Sequence, residues 1–240
     1  MDIREKVTII TGTSTGIGRA TARLFAEHGA IVVLAARSAD KLEELAHQLQ
    51  GRGRKALAVP TDVTQEDAVR HLVARTIETY GCVDILINNA GLGAAGPIAD
   101  YPADAYRQLI DLNLFGPFYG MQAVVPHMRE HGGGLIINIS SSSTLRQYPL
   151  VGAYTSTKHA LNSLSAYERV ELAPDNIRVI TVYPEYTASD FSRNGLIFGP
   201  RPVAGSPTGL GELPTPDSPE KVAQKILEAA SDEPAEKYME

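Results

Sequence analysis

Six apolar runs of strand length alternate along this chain with segments of helical periodicity, and that alternation leaves few folds open. The runs occupy 7–10, 31–35, 56–59, 83–87, 135–139 and 177–182 and are dominated by Val, Ile, Leu and Ala. A strand that reads as a near-continuous apolar run is buried on both faces, whereas a half-solvated antiparallel strand alternates apolar with polar residues. Helices are expected at 18–28, at 67–80, at 103–130 with bends at Pro117 and Pro126, at 154–172 and at 219–230. Another follows Ser38, whose hydroxyl can cap it, with Leu42, Leu45 and Leu49 on one face. Strands and helices alternating in this way build an α/β fold, a parallel sheet covered by helices on both faces.

A chain of 240 residues suits one such domain, 1–240, better than two. Its net charge of −6 argues against nucleic acid as a partner and leaves a small molecule open. The start, Met1 to Lys6, is charged and lacks the apolar stretch of a signal peptide, and no run approaches the ~18 apolar residues of a membrane span. A cytoplasmic location is expected. The one cysteine, Cys82, can form no internal disulfide and is read as packing. Residues 190–219 break the alternation with many Gly and Pro and an apolar Leu196-Ile197-Phe198. So long a loop after the sixth strand is read as a lid over substrate.

Four motifs carry chemistry. Thr11-Gly12-Thr13-Ser14-Thr15-Gly16-Ile17-Gly18 ends the first strand and opens the first helix. Its glycines let the backbone approach a pyrophosphate, the helix N-terminus adds N–H groups and partial positive charge, and Ser14 and Thr15 offer hydroxyls. At the end of the second strand, a carboxylate would bond the ribose 2′-hydroxyl of NAD. Here stand Arg37 and Ser38, and a guanidinium beside a hydroxyl suits a 2′-phosphate, so NADP(H) is expected over NAD(H). Asn88-Asn89-Ala90-Gly91 follows the fourth strand, where an amide can fix neighbouring backbone and small residues let a flat ring lie close. His127 and His131 are the only histidines spaced i, i+4; they fall near a helix C-terminus, which favours histidine electrostatically, and no metal is expected there.

The fourth motif is Tyr154-Thr155-Ser156-Thr157-Lys158, preceded by Ser140-Ser141-Ser142-Ser143. On a helix, Tyr154 and Lys158 share a face. A free phenol titrates near ~10, so half ionisation at neutral pH takes roughly 4 kcal/mol. A cation ~5 Å away at an effective dielectric of ~20 supplies roughly 3 kcal/mol of that. Lys158 is therefore expected to lower the Tyr154 pKa, a second cation supplying the remainder.

Taken together, Thr-Gly-x-x-x-Gly-Ile-Gly, Asn-Asn-Ala-Gly and serine ahead of Tyr-x-x-x-Lys, in this order and spacing over about residues 5–190, resemble the short-chain dehydrogenase/reductase superfamily. The resemblance implies a Rossmann-like doubly wound sheet of about seven strands, order 3-2-1-4-5-6-7, with a nicotinamide cofactor at the strands' C-terminal ends. It implies that Tyr154 is the catalytic acid/base, that Lys158 tunes it and holds the nicotinamide ribose with it, and that Ser141 binds the reacting oxygen. Asn113 is implied to bend the long helix and serve a proton relay. Asp62 and Val63 are implied beside the adenine, Asn89, Ala90 and Gly91 along the cofactor, and Pro184, Thr187 and Ser189 near the nicotinamide.

The family's usual Pro-Gly after the sixth strand is Pro184-Glu185 here, and the tail is short, leaving 237–240 as a stunted seventh strand. A homodimer or homotetramer is the family's expectation, with dimerisation through the helices near 103–130 and at Tyr154. The implied activity is hydride transfer between NADP(H) and a ketone or secondary alcohol. Two alternatives stand beside it: a 3-oxoacyl-carrier-protein reductase, and a non-catalytic NADPH-binding sensor or scaffold.

Overall fold

The structure is a computed structural model, and it describes residues 2–188, 191, 195–199, 215–232 and 234–239. Its strands in chain order are β1 (Val7–Thr11), β2 (Ile31–Ala36), β3 (Ala56–Pro60), β4 (Ile85–Asn88), β5 (Ala94–Ala95), β6 (Gly134–Ile139), β7 (Ile177–Tyr183), β8 (Leu196–Ile197) and β9 (Glu236–Tyr238). The helices are α1 (Gly16–Glu27), α2 (Ala39–Gln50), α3 (Glu66–Tyr80), α4 (Ala103–Ile110), α5 (Gly116–Glu130), α6 (Gly152–Leu172) and α7 (Pro219–Asp232).

Seven strands form one sheet in the order β3-β2-β1-β4-β6-β7-β9, every neighbouring pair parallel. With the small β5–β8 pair set aside, this is the order 3-2-1-4-5-6-7 that the resemblance implies. The chain reverses its direction of winding between β1 and β4, the place where open α/β sheets bind ligands. Alternate strand residues go to opposite faces. Ile10, Val32, Leu34, Ile87, Ile137 and Val182 pack with α1, α2 and α7 on one side. On the other, Ile9, Val33, Leu86, Ile136 and Val179 pack with α3, α5 and the end of α6. Helix α1 shows the sequence logic: Ala22, Phe25 and Ala26 lie on one face and are fully buried. Among the described residues, no helix is long and apolar enough to cross a membrane.

Three local expectations are corrected. The expected single helix over 103–130 is interrupted by a π-helical turn over Asp111–Phe115, which separates α4 from α5. Pro117 follows directly on that turn as the second residue of α5, and Pro126 lies inside α5. Ser38 occupies the N-cap of α2 without a side-chain hydrogen bond to it. The seventh strand comes as Glu236–Tyr238, paired with Thr181–Tyr183. Of the expected lid, 191, 195–199 and 215–219 are described, and β8 lies against β5 in the loop after β4.

Candidate active site

Because the strands are parallel, the loops after β1, β2, β3, β4, β6 and β7 all leave the same edge of the sheet, and they carry nearly every residue singled out above. The loop after β1 is drawn tightly against the end of β4. Asn89 donates its amide to Thr11 O (2.8 Å), and the backbone N–H groups of Asn89 and Ala90 donate to Thr11 Oγ1 (3.0 Å each). Gly12 adopts φ +74, and a Cβ there would sit 2.8 Å from Asn89 Nδ2; one on Gly18 would collide with Gly12 O. These two glycines thus permit loop-on-loop packing. No side chain caps α1 at Thr15, so the N–H groups of its first turn remain available beside Ser14, Thr15, Gly16 and Ile17. That is a ready anion site.

Arg37 and Ser38 are exposed at the end of β2, and the Arg37 guanidinium makes no hydrogen bond or ion pair to another described residue. Asp62 holds a turn, its Oδ1 accepting from the N–H (3.0 Å) and hydroxyl (2.8 Å) of Thr64. Val63 is buried against α5, where a Cβ on Gly116 would come within 2.9 Å of it. Gly91 lies where the catalytic candidates converge. A Cβ there would lie 3.3 Å from Asn113 Oδ1, 3.7 Å from Lys158 Nζ and 3.7 Å from the Phe191 ring.

Asn113 lies in the π-helical turn and is fully buried. Its amide accepts from Leu92 N–H (2.8 Å) and donates to Leu92 O (2.9 Å) and Thr157 Oγ1 (3.1 Å), tying the loop after β4 to α6.

The four serines after β6 go four ways. Ser140 donates to Asn162 Oδ1 (2.5 Å), Ser142 to Glu185 Oε2 (2.7 Å), and Ser143 accepts from Thr155 Oγ1 (3.1 Å). Ser141 Oγ accepts from Ser143 N–H (3.2 Å), and Ser141 is the serine that acts on the Tyr154 phenol, pulling its pKa down. Glu185, the departure from Pro-Gly, turns its carboxylate onto the serine loop, while Pro184 O accepts from Ser142 N–H (2.9 Å). Thr187 is buried and donates to Glu185 O (2.8 Å); Ser189 lies outside the described residues.

Lys158 is buried and donates to Ile139 O (2.8 Å), and desolvation pushes its ammonium down to about 8. Tyr154 keeps part of its surface in solvent, yet desolvation pushes its phenol up to about 12, against the opposing pull of the Ser141 hydrogen bond. The expectation that Lys158 by itself lowers the Tyr154 pKa is therefore corrected. From about 12, half ionisation at neutral pH costs about 7 kcal/mol. Burial that disfavours phenolate also weakens the neighbouring ammonium's hold on its proton, so the pair does not sustain the ion pair that a simple charge–charge sum suggests. Tyr154 thus carries its phenol proton at neutral pH, with Lys158 one helical turn away.

A protonated phenol, a serine and a buried lysine at the sheet edge beside a glycine loop suit proton-coupled hydride chemistry. The short chain dehydrogenase family model matches residues 6–195. The chain belongs to this family. An uncharacterized oxidoreductase of Listeria monocytogenes is 41% identical over 186 residues, 77% of this chain and 75% of the relative. An alcohol dehydrogenase from the archaeon Thermococcus sibiricus, complexed with 5-hydroxy-NADP, superposes with a TM-score of 0.81 at 29% identity, covering 98% of this chain and 95% of the other. A short chain dehydrogenase/reductase from Burkholderia phymatum in complex with NAD shares the fold, with a TM-score of 0.88 at 23% identity over 99% and 90% of the two chains. The chain is thus an oxidoreductase of the short-chain dehydrogenase type.

Sequence reasoning missed several residues that this short-chain dehydrogenase brings to the site. Phe191 stands edge-on to Tyr154 with ring centroids 5.7 Å apart and reaches Gly93, where a Cβ would come within 2.7 Å of it. Thr11, Thr157 and Asn162 hold the loops. Thr11 opens the glycine motif and Thr157 sits within the Tyr-x-x-x-Lys segment, but nothing in the local sequence marks either as a holder of loops, nor Phe191 or Asn162 at all.

Proposed function

We propose that the chain transfers hydride between NADP(H) and a ketone or secondary alcohol, as a carbonyl reductase/alcohol dehydrogenase. The observation that carries this is Tyr154 one helical turn from the buried Lys158 on α6, with the serine loop after β6 tied to the same helix by hydrogen bonds from Ser140 to Asn162 and from Thr155 to Ser143. The Tyr154 and Ser141 hydroxyls could together bind one substrate oxygen. In reduction, Tyr154 donates its proton to that oxygen while Ser141 holds it; in oxidation, Tyr154 takes the proton back. Lys158 supplies positive charge as the phenolate develops. Hydride is what a bound nicotinamide cofactor would give or accept there.

The residues fit such a cofactor. The uncapped first turn of α1, with Gly12, Ser14, Thr15, Gly16, Ile17 and Gly18, would receive the pyrophosphate. Asp62 and Val63 would border the adenine, and Asn89, Ala90 and Gly91 the space leading to Tyr154 and Lys158. Pro184, Thr187 and Ser189 would flank the nicotinamide. Arg37 supports NADP(H): its guanidinium is exposed and without a partner among the described residues at the end of β2. Exposed Leu145 and Tyr186, with Phe191 over Tyr154, favour a moderately apolar substrate.

The partner beyond substrate is a second copy of the chain. Phe115 of the π-helical turn and Tyr167 and Val170 of α6 expose apolar surface, Tyr167 and Val170 at 69% and 74%, along the helices through which the family is expected to dimerise. Tyr167→Asp is expected to shift the protein to monomer in light scattering.

The deciding experiment follows NADPH and NADH oxidation against ketones, diketones and aldehydes. Tyr154→Phe is expected to lose roughly 10²- to 10⁴-fold in kcat while still binding cofactor. Arg37→Ala is expected to weaken NADPH far more than NADH. Full activity in Tyr154→Phe would sink the mechanism, and equal loss of both cofactors in Arg37→Ala would remove the NADP(H) preference. Tight NADPH binding with no turnover across the panel would favour the sensor reading.

A further inference from the structure

The C-terminal end of α5 precedes β6 and so lies at the edge of the sheet opposite the site. We propose that His127, Glu130 and His131 there form a binding site for a first-row divalent transition cation of the zinc type. One donor atom from each, a ring nitrogen from both histidines and a carboxylate oxygen from Glu130, lies within 4.8 Å of the others. The two imidazoles stack with centroids 3.8 Å apart, as i, i+4 residues on one helix face can.

A helix terminus alone does not account for this arrangement. The Nε2 of His127 is shut away from solvent with no hydrogen-bond partner among the described residues, which is a costly state for a polar atom. His131 has the arrangement of a metal-binding imidazole. Its Nδ1 lies 2.8 Å from His127 O, and donation to that carbonyl leaves Nε2 with its lone pair outward.

The donor set defines the ion. Two imidazoles and one carboxylate suit zinc, cobalt, nickel or copper, whereas magnesium and calcium prefer oxygen shells. Tetrahedral zinc with ligands at about 2.0–2.1 Å needs donor atoms roughly 3.3 Å apart. Glu130 and His131 are exposed and can close the remaining gap by side-chain rotation. The partial negative charge of the helix end and the Glu130 carboxylate both favour a cation there. Three protein ligands leave one position for water. Lying opposite Tyr154, the site would fasten the end of α5 in the native state and raise stability by mass action.

The test uses the full chain without an affinity tag, treated with chelator and titrated with CoCl₂ and then ZnCl₂. The expected result is one equivalent bound, a visible cobalt spectrum that zinc abolishes, and a Tm that rises with zinc but not with MgCl₂. Loss of even an outer partner of a metal typically costs 10- to 100-fold in affinity, so His131→Ala should weaken binding at least about tenfold. His131 is exposed, so this variant avoids the packing that His127→Ala would disturb. Cys82→Ser should bind as the parent does. Absence of saturable binding, undiminished binding in His131→Ala, or loss of binding in Cys82→Ser would each overturn the proposal.

Discussion

The glycine loop after β1 and the serine loop after β6 leave the same edge of one sheet, yet they are held by opposite means. The first is built from backbone. Its glycines omit side chains so that it can close on Asn89 and Ala90, and α1 is left uncapped at its start. The second is built from hydroxyls. Ser140, Ser142 and Ser143 are each tied to a different residue, Asn162, Glu185 and Thr155, and Ser141 alone acts on the Tyr154 phenol. The helices that follow differ likewise. The buried residues of α1 are all uncharged, whereas α6 carries Lys158 and Glu168 in surroundings that shift their titration. A loop of backbone presents fixed dipoles to an anion; a loop of hydroxyls aims a single group at a reacting atom.

If that contrast is right, Gly18→Ala should do the greatest damage. Its Cβ would collide with Gly12 O and lie 2.5 Å from Asn89 Nδ2, both held in place. A cost of about 3 kcal/mol is expected, together with loss of NADPH binding in a fluorescence titration. A variant with the parent's Tm and affinity would show that the loop is not backbone-packed.

A second test contrasts the helices. Burial raises the Glu168 carboxyl from its ordinary 4.5 to about 7, Glu171 adding to the effect, and Oε2 has no hydrogen-bond partner among the described residues. The folded protein then holds a proton that the unfolded chain has released, so this group's contribution is present below pH 4.5 and is lost as pH rises through about 7. Glu168→Gln should remove that slope, gaining up to about 3 kcal/mol over the parent at pH 8 but little at pH 4.5. Urea unfolding of both proteins at the two pH values measures it. An equal difference at both would place the carboxyl in water.

The smallest expected effect concerns the serine loop itself. Ser142→Ala deletes the hydroxyl that Glu185 accepts from, at about 1 kcal/mol in stability. Because Ser141 is the adjacent residue, kcat should fall with cofactor affinity unchanged, measured on whichever carbonyl the parent reduces. A fall in NADPH affinity with kcat intact would mean that Glu185 serves the cofactor side instead.

The sequence by itself determined the α/β class, six of the sheet's seven strands, the helices between them and the residues gathered at one edge. Those follow from periodicity and from parallel strands, whose loops must emerge together. The family resemblance singled out Ser141 among its neighbours, but it held no physical reason why the other three point elsewhere. That reason is tertiary: Asn162, Glu185 and Thr155 lie 12 to 43 positions away. Tertiary structure alone decided that Asn113 lies in a turn of π-helical form, that Phe191 faces Tyr154, and that His127 hides a nitrogen without a partner among the described residues. It also reversed the expected shift of Tyr154. Charge spacing along a helix is local and readable, but desolvation depends on every element packed around the group, and here burial is the largest influence on the phenol.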